Sequence, residues 1–548
     1  MVLVWRYSGE RGNMNRDVQH WQVKKSAVTS PQGVVAAQHE LAARAGAAML
    51  DAGGNAMDAA VAAAFALAAV EPWMCGLGGS GYMVAWSAAS RRADVIDFQG
   101  MLPGDIRLDD YPVDPGIPET IMGFPGVVDR RNVVGPLSIT VPGAVMGLSR
   151  GLERFGRLGL DSVLGPAIQL ARRGLPCNWF TTLQVALAAG DLARDPEASR
   201  IYLPGGMPPA PEQFLPLGRL ADTLERLAAD GPQAFYSGSL GEALVADLSE
   251  RGSRITLEDL AAYELLEHDS PEGRHRGAIL HTAGPTSGGP RLIETLAEVA
   301  REMPQPGTGP DGESWTIYAR ALDKAWRSHK ARLGRGPDRQ GCTSSLSAVD
   351  AEGNMVALTY TLLNRFGSCV VLPRTGILMN NAVSYFDMRP GYPTTMEGRK
   401  RINASNICPT IATRNGEALF AIGASGANHI QPCVTQIAAL MLDFGMSLEE
   451  AFNHPRIDAS DRGSIRVDPR MGEAVLGELG RHFELEVAQL LVFPKLYACP
   501  SGVSRDPASG TCHGINDPSQ PIGGAAAPAP FILDPGDPAG GSARGARA

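Results

Sequence analysis

Gly341-Cys342-Thr343-Ser344-Ser345-Leu346-Ser347-Ala348-Val349-Asp350 runs through Ala351-Glu352-Gly353-Asn354 into Met355-Val356-Ala357-Leu358-Thr359-Tyr360-Thr361. Glu-Gly-Asn is turn chemistry between two apolar, β-branched runs, so the segment predicts a tight hairpin. Hydroxyl and apolar residues alternate on both sides of the turn, the pattern of strands with one buried face. Thr343 then falls at a strand tip. A chain cut after Cys342 would give Thr343 a hydroxyl nucleophile and a free α-amine, of pKa about 7.7–8.0 unperturbed, to act as its base. The plain alternative is an ordinary hydroxyl at the start of a hairpin strand.

Working outward, the 548-residue chain is long enough for a large core and more than one lobe. Hydrophobic residues at 44% and charged ones at 20% describe a globular protein. A net charge of −9 without a dense basic run argues against nucleic acid and anionic membrane as partners. Residues 1–30 carry scattered charges and no apolar core of a secretory signal, so a cytoplasmic location is expected. Ala56 to Met74 is apolar but holds Asp58 and Glu71, which marks a buried helix and not a membrane span. The 8 cysteines show no CxxC spacing, and neither a metal site nor a cofactor is expected.

Before the hairpin, residues 39–51 form an amphipathic helix that stops at Gly53-Gly54, and Asn55 caps an alanine-rich helix to about Val70. Gly76-Leu77-Gly78-Gly79-Ser80-Gly81 has the letters of a dinucleotide fingerprint. Its order is helix, glycines, strand, the reverse of what that site needs, so a close-packed turn is expected. Ser138 to Val141 is read as a strand entering a helix at Ala144, and residues 158–264 as a helical lobe. After the hairpin, Gly423-Ala424-Ser425-Gly426-Ala427 links a strand to a helix over about 430–444. Small residues in that setting expose consecutive backbone N–H groups that can hold an oxyanion.

Several segments in order resemble the γ-glutamyltranspeptidase family of N-terminal nucleophile (Ntn) hydrolases. They are Gly53 to Ala60, Gly76 to Gly81, Val141-Pro142-Gly143, Ser287-Gly288-Gly289, Thr343 to Thr361, Phe366-Gly367-Ser368, Gly376 to Asn381 and Gly423 to Ala427. The resemblance implies an α/β fold, a four-layer αββα sandwich with a helical lobe, made as one self-cleaving precursor. It implies a large-subunit region at 30–342 and a small-subunit region at 343–524, interwoven in one core, with a poorly ordered leader at 1–29 and a disordered tail at 525–548. By position, the cut falls between Cys342 and Thr343, Thr343 is the nucleophile, Thr361 supports it, and Gly426 and Ala427 hold the oxyanion. Ala427 departs from the glycine usual there.

The positions that hold substrate in the family depart further. Gln99 stands for an arginine, Tyr385 for an aspartate, Leu363 for an asparagine and Ala382 for a Gln or Glu. Ser405 is kept, while its neighbour is Asn406, and Ser345 replaces a histidine. Losing the Arg and Asp removes charge-assisted hydrogen bonds worth about 1.5–3 kcal/mol each. Thr361-Leu362-Leu363, Tyr385 to Gly391, Ser405 to Pro409 and Ala498 to Val503 look instead like the oxamate amidohydrolase-like branch. The expected activity is therefore hydrolysis of a small-molecule amide through a Thr acyl-enzyme. The alternatives are a γ-glutamyltransferase or glutathione hydrolase, and a non-catalytic binding protein on the same fold. The expected partners are the two fragments of one precursor, with a homodimer of that pair left open.

Overall fold

The computed structural model describes residues 23–333, 343–460 and 463–533. Two seven-stranded antiparallel sheets lie face to face. In the first, the order is Gly524–Ala526, Gly33–Ala37, Ser344–Asp350, Met355–Thr361, Ser80–Ser87, Arg92–Phe98 and Leu266–Asp269. In the second it is Val28–Ser30, Cys512–Asn516, Cys499–Arg505, Glu417–Ser425, Thr410–Arg414, Ala278–Thr282 and Glu272–His275.

Strand parity assigns each residue of the hairpin to a layer. Leu346, Ala348, Leu358 and Tyr360 pack outward against helices Glu40–Asp51 and Ala56–Val70. Val349, Met355 and Ala357 pack inward against the second sheet, with Ala421 and Val503. Helices Gly289–Glu302, Gly312–Leu333 and Ile430–Phe444 cover the far face of that sheet around a third core. Three cores between four layers make the αββα sandwich. The hairpin is thus buried on both faces, not one as its alternation suggested. Hydroxyls survive there because they are satisfied: Ser345 Oγ bonds Leu358 O and Thr359 Oγ1, and Ser347 Oγ bonds Ser501 O across the sheets.

Local signals act as their chemistry predicts. Asn55 caps the alanine helix in a capping box with Asp58. Asp350 Oδ1 accepts the Glu352 and Asn354 amides in the hairpin turn, where Gly353 has φ 88, and Asp350 Oδ2 accepts Ala56 N. The glycines of residues 76–81 serve close approach. A Cβ on Gly79 would lie 2.7 Å from Thr361 O, and one on Gly81 2.4 Å from Thr359 O. No helix among the described residues is long and apolar enough to cross a membrane.

Three readings need correction. Ser138 ends a 3-10 turn over Pro136–Ser138, and Val141 makes only an isolated bridge to Met101, which lies past the end of strand Arg92–Phe98. Part of the leader is ordered: Val28–Ser30 pairs with Cys512–Gly514, and Lys25 Nζ donates to Gln520 O at 2.6 Å and Gly523 O at 2.7 Å. The start of the tail is likewise bound, with Gly524–Ala526 paired to Val35–Ala37 and Arg44 Nη2 donating to Ile532 O. Backbone pairing at a sheet edge demands little of side chains, so composition does not reveal it. Residues 1–22 and 534–548 lie outside the described residues.

Candidate active site

Thr343 is 1% exposed and leads into the central strand Ser344–Asp350. Ser344 pairs with Tyr360, so the register carried one residue further sets Thr343 opposite Thr361. Thr361 pairs in turn with Ser80, whose Oγ donates to Gln99 Oε1 at 3.2 Å. Thr343, Thr361, Ser80 and Gln99 therefore form one lateral row over four strands, about 14 Å long at about 4.8 Å per strand. Thr361 Oγ1 accepts Leu363 N at 2.7 Å, which fixes the exit from its strand. Cys342, the other side of the expected cut, lies outside the described residues.

Facing Thr343 from the second sheet is the turn that ends strand Glu417–Ser425. Gly426 has φ 129, and a Cβ there would lie 2.9 Å from Ala498 Cα, so only glycine fits. Ala427 keeps the turn with φ 52, a left-handed conformation that strains a residue with a Cβ. A 3-10 turn then leads to helix Ile430–Phe444, placing these amides at its positive end. Thr343, Ser425, Gly426 and His429 line one cavity of about 390 Å³. Phe180, Phe493 and Tyr497 give it aromatic walls, and Arg365 and Lys495 give it positive charge. A larger groove of about 770 Å³ beside Met441 and Glu449 contains no member of this row.

A buried threonine thus stands at the head of a central strand, beside a glycine turn at a helix start. The family described as gamma-glutamyltranspeptidase matches residues 42–335 and 312–526. The chain is 33% identical to the acylase ACY 1 proenzyme of Pseudomonas sp. (strain SE83) over 495 residues, 84% of this chain and 88% of that one. It is 30% identical to the glutathione hydrolase proenzyme of Escherichia coli (strain K12), over 78% of this chain and 81% of that one. This chain belongs to the gamma-glutamyltranspeptidase family. Its fold matches that of the cephalosporin acylase from Bacillus halodurans, with TM-score 0.80 and 23% identity over 93% of this chain and 98% of that one.

Within this gamma-glutamyltranspeptidase fold, the six expected substrate-holding residues are all buried, and none lines the cavity at Thr343. Gln99 is spent on Ser80, and its Nε2 has no hydrogen-bond partner among the described residues. Leu363, Ala382 and Tyr385 belong to the core between the sheets. Asn406 Nδ2 reaches Tyr385 OH at 3.5 Å, while Ser405 Oγ lies 2.9 Å from His329 Nε2. Arg401 stacks 5.3 Å over the Tyr263 ring. Ser345, in the place of the family histidine, sits where the sheets touch: a Cβ on Gly423 would lie 2.3 Å from its Oγ.

Sequence reasoning missed several groups at the site. Glu71, at the end of the alanine helix, accepts Ser344 Oγ at 2.8 Å and Gln520 Nε2 at 3.3 Å. Burial pushes its carboxyl up to about 8, against the opposing Ser344 bond and Lys495 charge, so it holds a proton at neutral pH. The signal for Glu71 was available: one carboxyl closing a helix of alanines. Arg365 lines the cavity and its Nε donates to Gln184 Oε1 at 2.8 Å. Asp458 joins the site through His429 Nδ1 at 2.8 Å, a contact that no spacing announces.

Proposed function

We propose that this protein is a self-cleaving amidohydrolase in which Thr343, freed by a cut after Cys342, attacks a small amide to form an acyl-enzyme. The position of Thr343 carries this reading: it opens the central strand and shares a cavity with the Gly426–Ala427 turn. In the steps that follow, Thr343 Oγ bonds the amide carbon, and its proton passes through the α-amine to the departing amine. The amides of Gly426 and Ala427 stabilise the oxyanion, an effect worth about 2.7–4 kcal/mol per donor. Thr361, across the ladder, holds the nucleophile's end of the strand. Water then releases the acid.

The substrate is not a γ-glutamyl compound, in this reading, because Gln99 and Tyr385 offer no charge to its α-carboxylate and α-amine and are closed in the core. The cavity supports an acyl or amine part with apolar bulk against Phe180 and Phe493 and a carboxylate toward Arg365. The relatives named acylase proenzymes support an acylase reading, and the one named glutathione hydrolase proenzyme keeps the γ-glutamyl alternative in view.

A denaturing gel with N-terminal sequencing tests the first half. Two fragments, the smaller starting at Thr343, are expected from the wild type, and one uncut band after long incubation overturns the proposal. For the second half, processed protein is given a γ-glutamyl anilide with and without a dipeptide acceptor. Slow release that the acceptor leaves unchanged is expected; acceleration would return the chain to the transpeptidases.

A further inference from the structure

His429 has a place in the cavity that neither the expected row nor the oxyanion turn uses. It lies three residues past Gly426 and lines the same cavity as Thr343. It stands at the N-cap position of helix Ile430–Phe444, yet its side chain makes no capping bond. Its Nδ1 lies 2.8 Å from Asp458 Oδ2 and 3.2 Å from Ser460 Oγ, and Ser460 Oγ donates to the same Asp458 oxygen at 3.0 Å. An ionised carboxylate only accepts, and the serine has given its proton to that carboxylate. Nδ1 must therefore carry a hydrogen, and in the neutral ring the lone pair is then on Nε2. Nε2 takes no hydrogen bond from a described residue.

Resting on the Thr343 reading, we propose that His429, oriented by Asp458 and Ser460, is a further catalytic residue that takes the proton of the water resolving the Thr343 ester. Nε2 accepts one hydrogen of the water as its oxygen bonds the acyl carbon. The carbon–Oγ bond then breaks, and the imidazolium returns that hydrogen to Thr343 Oγ. The products are the free acid and the free threonine, with His429 neutral again. Asp458 holds the ring in the right tautomer and lies 3.8 Å from Arg466, which is itself paired with Glu486. The other titratable groups around the cavity are Lys495, Arg365, Asp191, Tyr497 and Cys499. None of these reaches His429 by a hydrogen bond.

The same ester forms during self-cleavage, when Thr343 Oγ takes over the carbonyl of residue 342, so the role is testable without knowing the substrate. In purified His429→Gln precursor the cut should slow by about 10²-fold, within the usual range for a lost general base. Hydroxylamine, which opens esters and spares amides, should restore cleavage and leave a hydroxamate on residue 342. Added imidazole should speed the cut in His429→Ala, and a circular dichroism melt shows that each variant is folded. Wild-type speed in H429Q overturns the proposal. So does a folded, slow H429Q that hydroxylamine does not speed, or a folded H429A that imidazole does not. A wild-type precursor that never cuts refutes the Thr343 reading and this role with it; failure in the variants alone refutes only His429.

Discussion

The row from Thr343 to Gln99 joins two ends that have met different fates. At the Thr343 end the hydroxyl, the glycine turn and an open cavity of about 390 Å³ stand together. At the Gln99 end the side chains are packed away, with Leu363, Ala382 and Tyr385 filling the core between the sheets. Bond-breaking geometry needs the backbone of two central strands and cannot change without unmaking the sandwich. Recognition needs only a few side chains, which can be exchanged while the strands stay in register.

The sharpest way to break this comparison is at its two ends. Thr343→Ala should abolish both self-cleavage and turnover, whereas Tyr385→Phe, a change inside the core between the sheets and away from the Thr343 cavity, should leave the cut rate within about twofold. Equal losses on a denaturing gel would show that the two ends are not separable. Next in size is Gly426→Ala, which forces a Cβ to within 2.9 Å of Ala498 Cα and shifts the turn. Its cleavage rate should fall by about 10²–10³, the effect of one misplaced oxyanion donor.

Glu71 gives a smaller, pH-dependent effect on stability. Its folded carboxyl titrates at about 8 and an unfolded one near 4.5, so the native state holds a proton that the unfolded state releases. Stability from this group is complete below about pH 4.5, falls as pH rises, and is lost above about 8. Glu71→Gln should flatten that decline, so thermal melts from pH 5 to 9 should separate the variant from wild type most at the alkaline end. A wild type and variant that run parallel would place the proton elsewhere. Smallest is Ala427→Gly, which relieves the strain at φ 52 and should stabilise by no more than about 1 kcal/mol, read from the denaturant midpoint.

Much of the fold was legible because its signals are local. Asn55 with Asp58, the turn at Gly353 and the glycines at 76–81 each express a backbone demand within a few residues. The ordered family segments then supplied the layers. What stayed hidden depends on distant pairing. The edge strand Val28–Ser30 meets residues 512–514, and Asp458 meets His429 across 29 positions of chain that follow no period. The alternation of the hairpin was read as one-sided burial because a period of two cannot tell water from a second sheet of hydroxyls. Motif and order singled out Thr343, Thr361 and Gly426, which the strand register and the turn after Ser425 bring to one region, and Glu71 had a local signal, while Arg365 and Asp458 required coordinates.

The strand order has a consequence for what a cut at Thr343 would leave behind. In the first sheet, Gly33–Ala37 lies between Gly524–Ala526 and Ser344–Asp350, a strand from before the cut between two from after it. In the second, Val28–Ser30 at one edge and Ala278–Thr282 near the other enclose strands from beyond residue 343. Severing one peptide bond would release no piece, yet it would double the number of molecules that must meet again after denaturation. The precursor folds with the second half tethered to the first. The cut protein would have to find its partner at whatever concentration the solution offers, and its two halves hold exposed strand edges while they search. Its durability would then be a matter of how slowly it opens, not of how readily it closes.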